Sequence, residues 1–180
     1  GKNRVKVVKF PGHEFEIEHF FPENLRSVKE FLSERDSQTV QSTYRNPTLS
    51  RLLRKNEFIA KGTRSNTNFA VRCLRTLSEA KLANYIQSLK LPDVAIERPL
   101  AAILDSGGNH FVIYRKIRGK RHDPKKDSPL FLSNRRKYEA HLDRIREIIE
   151  TLIKNGIEPK DFQYILARDG TVHLFDLEAY

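Results

Sequence analysis

The chain has 180 residues, of which 38% are hydrophobic and 31% charged, and 33 Lys and Arg against 23 Asp and Glu give a formal net charge of +10. That length suits one domain or two small lobes, and the composition argues against a disordered chain. No apolar run reaches the roughly 18–20 residues that cross a bilayer, so no membrane span is expected.

The one cysteine, Cys73, excludes an internal disulfide and a cysteine-built metal site. It fits a reducing compartment, so a cytoplasmic location is expected, in the source cell or, for an effector or toxin, in host cytosol. The stretch GKNRVKVVKF lacks the apolar core of a signal peptide. The chain opens on Gly1 and contains no Met, so a trimmed or partial polypeptide is expected. The positive charge would attract a polyanion: nucleic acid, anionic lipid, nucleotide phosphate or an acidic protein. Its densest clusters run from Arg115-Lys116 to Arg121-His122, then Lys125-Lys126 and Arg135-Arg136-Lys137.

In chain order, Val5 to Phe20 holds two β-prone runs around Pro11-Gly12 and predicts a hairpin. Pro22 suits a helix start, and Leu25, Val28, Phe31 and Leu32 give that helix an apolar stripe. Residues 36–46 read as a loop and Pro47 to Lys55 as a short helix. Glu57 to Gly62 predicts a strand, and Thr63 to Asn68 a polar turn with helix-capping residues. Phe69 to Leu89 is a long helix, stopped at Leu91-Pro92-Asp93. Leu100 to Asp105 and His110 to Ile117 are strands joined by Ser106-Gly107-Gly108-Asn109. Gly119 to Ser128 reads as a basic loop, and Pro129 to Asn155 as a helix with Gly156 as its stop. Tyr164 to Ala167 and Thr171 to Phe175 form a last hairpin around Arg168-Asp169-Gly170. The order predicts an α+β fold.

Two constellations carry chemistry. The last hairpin separates Asp161 from Asp176, and alternation puts Val172, Leu174 and Asp176 on one strand face. An acid there is either exposed at the strand end or needs a cation. Two acids brought together by a hairpin would suit a base and a magnesium ligand; the plain alternative is a pair of solvated loop acids. Upstream, Glu79 joins a helical stripe of Leu82, Ala83, Ile86 and Leu89. Lys61, in the apolar strand FIAK, is its natural partner and would sit where a phosphate could bind. The plain alternative is a Glu79 that stays wet at the rim of the stripe. The six histidines do not fall at metal-ligand spacings, and Cys73 reads as a packing residue.

The succession strand-Lys, helix-Glu, hairpin, long helix, acid loop, hairpin, acid resembles the protein-kinase-like superfamily. It is most similar to small atypical and bacterial members: lipopolysaccharide kinases, RIO kinases, aminoglycoside phosphotransferases and compact effector kinases. EAKLANYIQSLKLPDVAIERPLA resembles their Glu-helix and fourth strand, and FVIYRKIRG the fifth strand, hinge and glycine. GIEPKDFQYILARDGTVHLFDLE resembles the catalytic loop and the Asp-Phe-Gly or Asp-Phe-Glu metal motif. The resemblance covers about residues 57 to 180. It implies a reduced kinase-like fold: a small antiparallel sheet with a long Glu-bearing helix, then a helix, a catalytic-loop segment and a metal-loop hairpin. Residues 1–56 would be an extension or the first part of an N-lobe, 57–118 the N-lobe-like sheet and helix, and 119–180 a reduced C-lobe.

By that resemblance, the cofactors are ATP and Mg2+. Lys61 pairs the phosphates and Glu79 pairs Lys61. Asp161 positions the hydroxyl nucleophile, Asp176 is the main metal ligand with Gln163 as the second, and Tyr114 and Lys116 lie in the adenine-binding hinge. The acceptor would be a protein or small-molecule hydroxyl. The family's catalytic-loop histidine corresponds to Pro159 and its metal-binding asparagine to Tyr164, and no glycine-rich loop precedes Lys61. A second register puts Arg72 at the lysine position. Three functions therefore stand open: a phosphotransferase, a catalytically dead kinase-like scaffold, and a basic nucleic-acid-binding domain.

Overall fold

The computed structural model describes residues 6–10, 25–26, 39–41, 51, 53–62, 66–104, 108–123, 135–177 and 180. The fold is α+β. In chain order the elements are β1 (Lys6–Lys9), β2 (Leu25–Arg26), β3 (Thr39–Gln41), β4 (Phe58–Lys61), β5 (Asn66–Asn68) and α1 (Phe69–Ser88). There follow β6 (Val94–Ile96), β7 (Ala101–Leu104), β8 (His110–Arg115), β9 (Lys120–His122), α2 (Arg135–Lys154), β10 (Tyr164–Leu166) and β11 (Val172–Leu174). Two compact units result, one of residues 1–84 with 98–116, the other of residues 85–97 with 117–180.

The first unit is built on a five-stranded sheet in the order β2-β1-β7-β8-β4. Register decides what each face carries. Val8 lies opposite Ala102, Ala102 opposite Val112, Ile59 opposite Tyr114 and Lys61 opposite Val112, so these side chains share one face. Val8, Ile59, Ala102, Val112 and Tyr114 pack with Phe69, Cys73 and Ala80 of α1. The other face carries Val7, Phe58, Ala101, Ile103, Phe111 and Ile113, packed with Leu53 and Leu100. Helix α1 begins where sequence places it, because the Asn68 side-chain oxygen accepts a 2.8 Å hydrogen bond from the Val71 N–H. Burial pushes the Cys73 thiol up to about 12, which makes it an inert packing group.

The second unit is built on a four-stranded sheet in the order β6-β11-β10-β9. Ile145, Ile148 and Leu152 of α2 are buried, as are Val172 and Leu174 of β11. Helix α2 stops in a Schellman motif: Ile157 N–H donates to the Leu152 carbonyl and Gly156 N–H to Ile153, with Gly156 at φ 83°. Arg144 of α2 donates to the Gly170 carbonyl (2.7 Å) and to the Asp93 carbonyl (2.9 Å), tying the last hairpin and the start of β6 to the helix.

Several sequence expectations need correction. Leu25–Arg26 is a strand, not a helical segment, because it pairs in parallel with Val7 and Val8; the rest of that expected helix lies outside the described residues. Thr39–Gln41 falls in the expected loop but pairs antiparallel with Asn66–Asn68, in the expected turn. Both segments are polar, so no apolar alternation marks them. Lys120–His122 is a strand on the edge of its sheet, where the exposed Lys120 and Arg121 suit solvent while His122 is buried. The second arm of the first expected hairpin and residues 124–134 lie outside the described residues. Helix α1 and the β7–β8 and β10–β11 pairings match expectation.

Gly119 leads into β9 under a tight constraint. A Cβ there would lie 2.4 Å from the Leu166 carbonyl oxygen and 2.7 Å from Ile165 Cγ2. Because backbone is in the way, Gly119→Ala is expected to destabilise the protein by about 1–3 kcal/mol, the usual cost of overpacking. Thermal unfolding checks this; an unchanged melting temperature would show that β9 can shift freely.

Candidate functional site

In the first unit, the buried face of α1 is not purely apolar. Arg72, Thr76 and Glu79 lie on it, among Phe69, Cys73, Ala80 and Ala83. Glu79 is only 5% exposed, so it sits inside the stripe rather than at a wet rim. An ionised carboxylate there is costly unless it is compensated. Tyr114, itself 3% exposed, supplies compensation: its hydroxyl lies 3.0 Å from one Glu79 carboxylate oxygen and 3.2 Å from the other, donating to the carboxylate.

Lys61 reaches the same place from β4. It lies two residues beyond Ile59, which faces Tyr114, so its side chain and that of Tyr114 share a face. The Lys61 ammonium stands 4.6 Å from the Tyr114 ring centroid, within cation–π range. Tyr114 therefore touches both Lys61 and Glu79. Arg72 is buried beside them: its Nη2 donates to the Lys61 carbonyl at 3.1 Å, and its Nε has no hydrogen-bond partner. Arg72 lies in α1, not in a strand, so a strand register centred on FAVR is not the one adopted. Lys116 is exposed, and its backbone N–H donates to the Glu57 carbonyl at 2.8 Å.

In the second unit, Asp161 is exposed in the loop after α2. Gln163 Nε2 donates to Asp161 Oδ2 at 3.0 Å. Arg121 of β9 donates to the oxygen of the same amide, from Nε at 2.8 Å and also from Nη2. The Arg121 guanidinium also lies 5.1 Å from the Phe175 ring centroid, next in sequence to Asp176. Of the two placements expected for Asp176, exposure at the strand end is the one adopted. The strand ends at Leu174, and Asp176 turns to φ 54° and is exposed. Asp is among the few residues that tolerate the left-handed region, and such outliers cluster at functional sites. Burial, and then the Asp176 charge, raise the Tyr180 hydroxyl above its ordinary range; the Tyr180 ring lies 6.2 Å from that of Phe162.

No protein-family profile, curated protein or solved structure matches this chain. Each of the two groups is therefore read from its own geometry. Lys61, Glu79 and Tyr114 come together in the first unit. Asp161 and Gln163 come together in the second, and Arg121 ties them to the segment that carries Asp176. Tyr164 is 3% exposed; its ring stacks on His122 with centroids 5.2 Å apart, and its hydroxyl bonds His141 Nε2. Burial lowers the His141 pKa, with His122 and Arg144 adding to the shift.

Sequence reasoning missed two contributors. Arg121 counted only as part of a basic cluster, and no local pattern marks a residue whose partner lies 42 positions away. Arg72 enters the sequence reading only as an alternative to Lys61, although its helical spacing from Thr76 and Glu79 marks it as facing the same side. Among the described residues, no group of three or more His, Cys, Asp and Glu is placed to hold a metal, and no helix is long and apolar enough to cross a membrane.

Proposed function

We propose that the chain is a minimal, kinase-like phosphotransferase that binds ATP with magnesium and transfers a phosphoryl group to a protein or small-molecule hydroxyl. The observation that carries this reading is the meeting of Lys61, Tyr114 and Glu79 in one polar seam. A buried carboxylate in an otherwise apolar interface needs a purpose, and holding a lysine ready for phosphate is one. One further observation supports it: β4, which carries Lys61, pairs directly with β8, which leads into the expected hinge.

Magnesium is commonly held by one or two carboxylates together with substrate phosphates, and Asp176, exposed at a strand end, fits that need. The bound ion would neutralise charge on the phosphates. The protein's own groups do the rest. Lys61 would hold phosphate oxygens, Tyr114 would brace Lys61 from within the seam rather than line the adenine, and exposed Lys116 would border the adenine. Asp161, exposed and held by Gln163, would accept a hydrogen bond from the acceptor hydroxyl and orient it. Catalysis of this kind is chiefly positioning and electrostatics. A cytosolic setting suits the buried reduced Cys73.

In a turnover assay with γ-labelled ATP, Asp161→Asn is expected to lower the rate by about 10²–10⁴-fold, the usual weight of a general base, with ATP affinity held. Undiminished turnover in that variant would remove Asp161 from the mechanism.

A second reading, a scaffold that binds nucleotide without transfer, is favoured by Tyr164. It stands where the resemblance calls for a metal-binding asparagine, and it is buried against His122 and His141. Sustained ATP turnover that depends on Asp161 excludes it.

A further inference from the structure

We propose that Arg121 is a positioning residue for Asp161, acting through Gln163. The proposal rests on the phosphotransferase reading for its purpose, but its geometry stands on its own. An amide side chain can face either way, and a carboxylate accepts only from its NH2 end. Here the choice is made by Arg121. Its Nε and Nη2 both donate to Gln163 Oε1, and a guanidinium has no acceptor to offer the other end. The amide nitrogen is thereby turned to Asp161 Oδ2, 3.0 Å away.

Arg121 is itself braced. Its guanidinium lies over the Phe175 ring, and its backbone is fixed in β9, where Arg121 pairs with Ile165 of β10. The same side chain thus contacts the loop that bears Asp161 and the residue before Asp176. An exposed arginine held on both sides in this way loses less freedom per bond than a lysine would, because its fork is planar. The amide oxygen of Gln163 also faces a cation already, which assigns Gln163 to orienting Asp161 rather than to binding a metal.

The test uses the full chain with Arg121→Ala, Arg121→Lys and, as a charge control on the same strand, Lys120→Ala. Two readouts are taken: the side-chain amide NMR signals of Gln163, and kcat and KM for ATP turnover. Arg121→Ala should move the Gln163 amide signals, speed their exchange with water, and lower kcat roughly tenfold with KM unchanged, since a small misplacement of a reacting group can cost up to about 10². Arg121→Lys should restore part of both, and Lys120→Ala should change neither. Unmoved Gln163 signals in Arg121→Ala would overturn the proposal while leaving the phosphotransferase reading intact. Moved signals with an unchanged kcat would overturn it too. Responsive amide signals in a protein that turns over no ATP would uphold the tether and sink the phosphotransferase reading instead.

Discussion

Glu79→Ala should destabilise the protein by about 2–5 kcal/mol, because it empties a buried site and leaves the buried Tyr114 hydroxyl without its acceptor. The carboxylate lies at 5% exposure, and the variant takes from Tyr114 the acceptor it now has 3.0 Å away. Tyr114→Phe removes only the hydroxyl and should cost less, about 1–3 kcal/mol, because it leaves the carboxylate without one donor. Glu79→Gln keeps shape and acceptor but not charge, and should fall between them. Urea unfolding of the three variants checks this order. A cost for Glu79→Ala below about 1 kcal/mol would mean that the carboxylate meets water in solution.

Asp176→Asn should lower phosphoryl transfer by about 10²–10³-fold, the weight commonly found for one preorganised electrostatic group. The expected loss is functional rather than structural. At φ 54° Asn is tolerated as well as Asp, and the side chain is exposed, so unfolding free energy should stay within about 0.5 kcal/mol. Activity loss together with a large stability loss would recast Asp176 as a structural residue.

Sequence reasoning reached the parts of the fold that repeat apolar residues at a fixed period. Helix α1, with its Asn68 cap, and the β7–β8 and β10–β11 pairs are of this kind. Segments whose strand character comes from a distant partner could not be read that way. Leu25–Arg26 is a strand because Val7 and Val8 lie beside it, and Lys120–His122 because β10 does.

The candidate site divides along the same line. Lys61, Glu79, Asp161 and Asp176 stand out because a charge interrupts an apolar pattern or closes a hairpin. That Tyr114 bonds Glu79 was not legible, since its expected role lay in the hinge and register alone brings its ring beside Lys61. Nor was the left-handed backbone at Asp176, because side-chain alternation says nothing of φ beyond the strand end. Arg121 acts across a strand pairing, and one cation in a basic cluster looks like its neighbours.

The most direct test of the nucleotide–magnesium assignment is calorimetric titration of ATP into the unmutated protein and into Asp176→Asn, each with and without magnesium. Saturable binding that magnesium strengthens, with that strengthening lost in Asp176→Asn, is the predicted result. No binding to the unmutated protein under either condition would contradict the assignment and leave Lys61, Tyr114 and Glu79 as a structural seam.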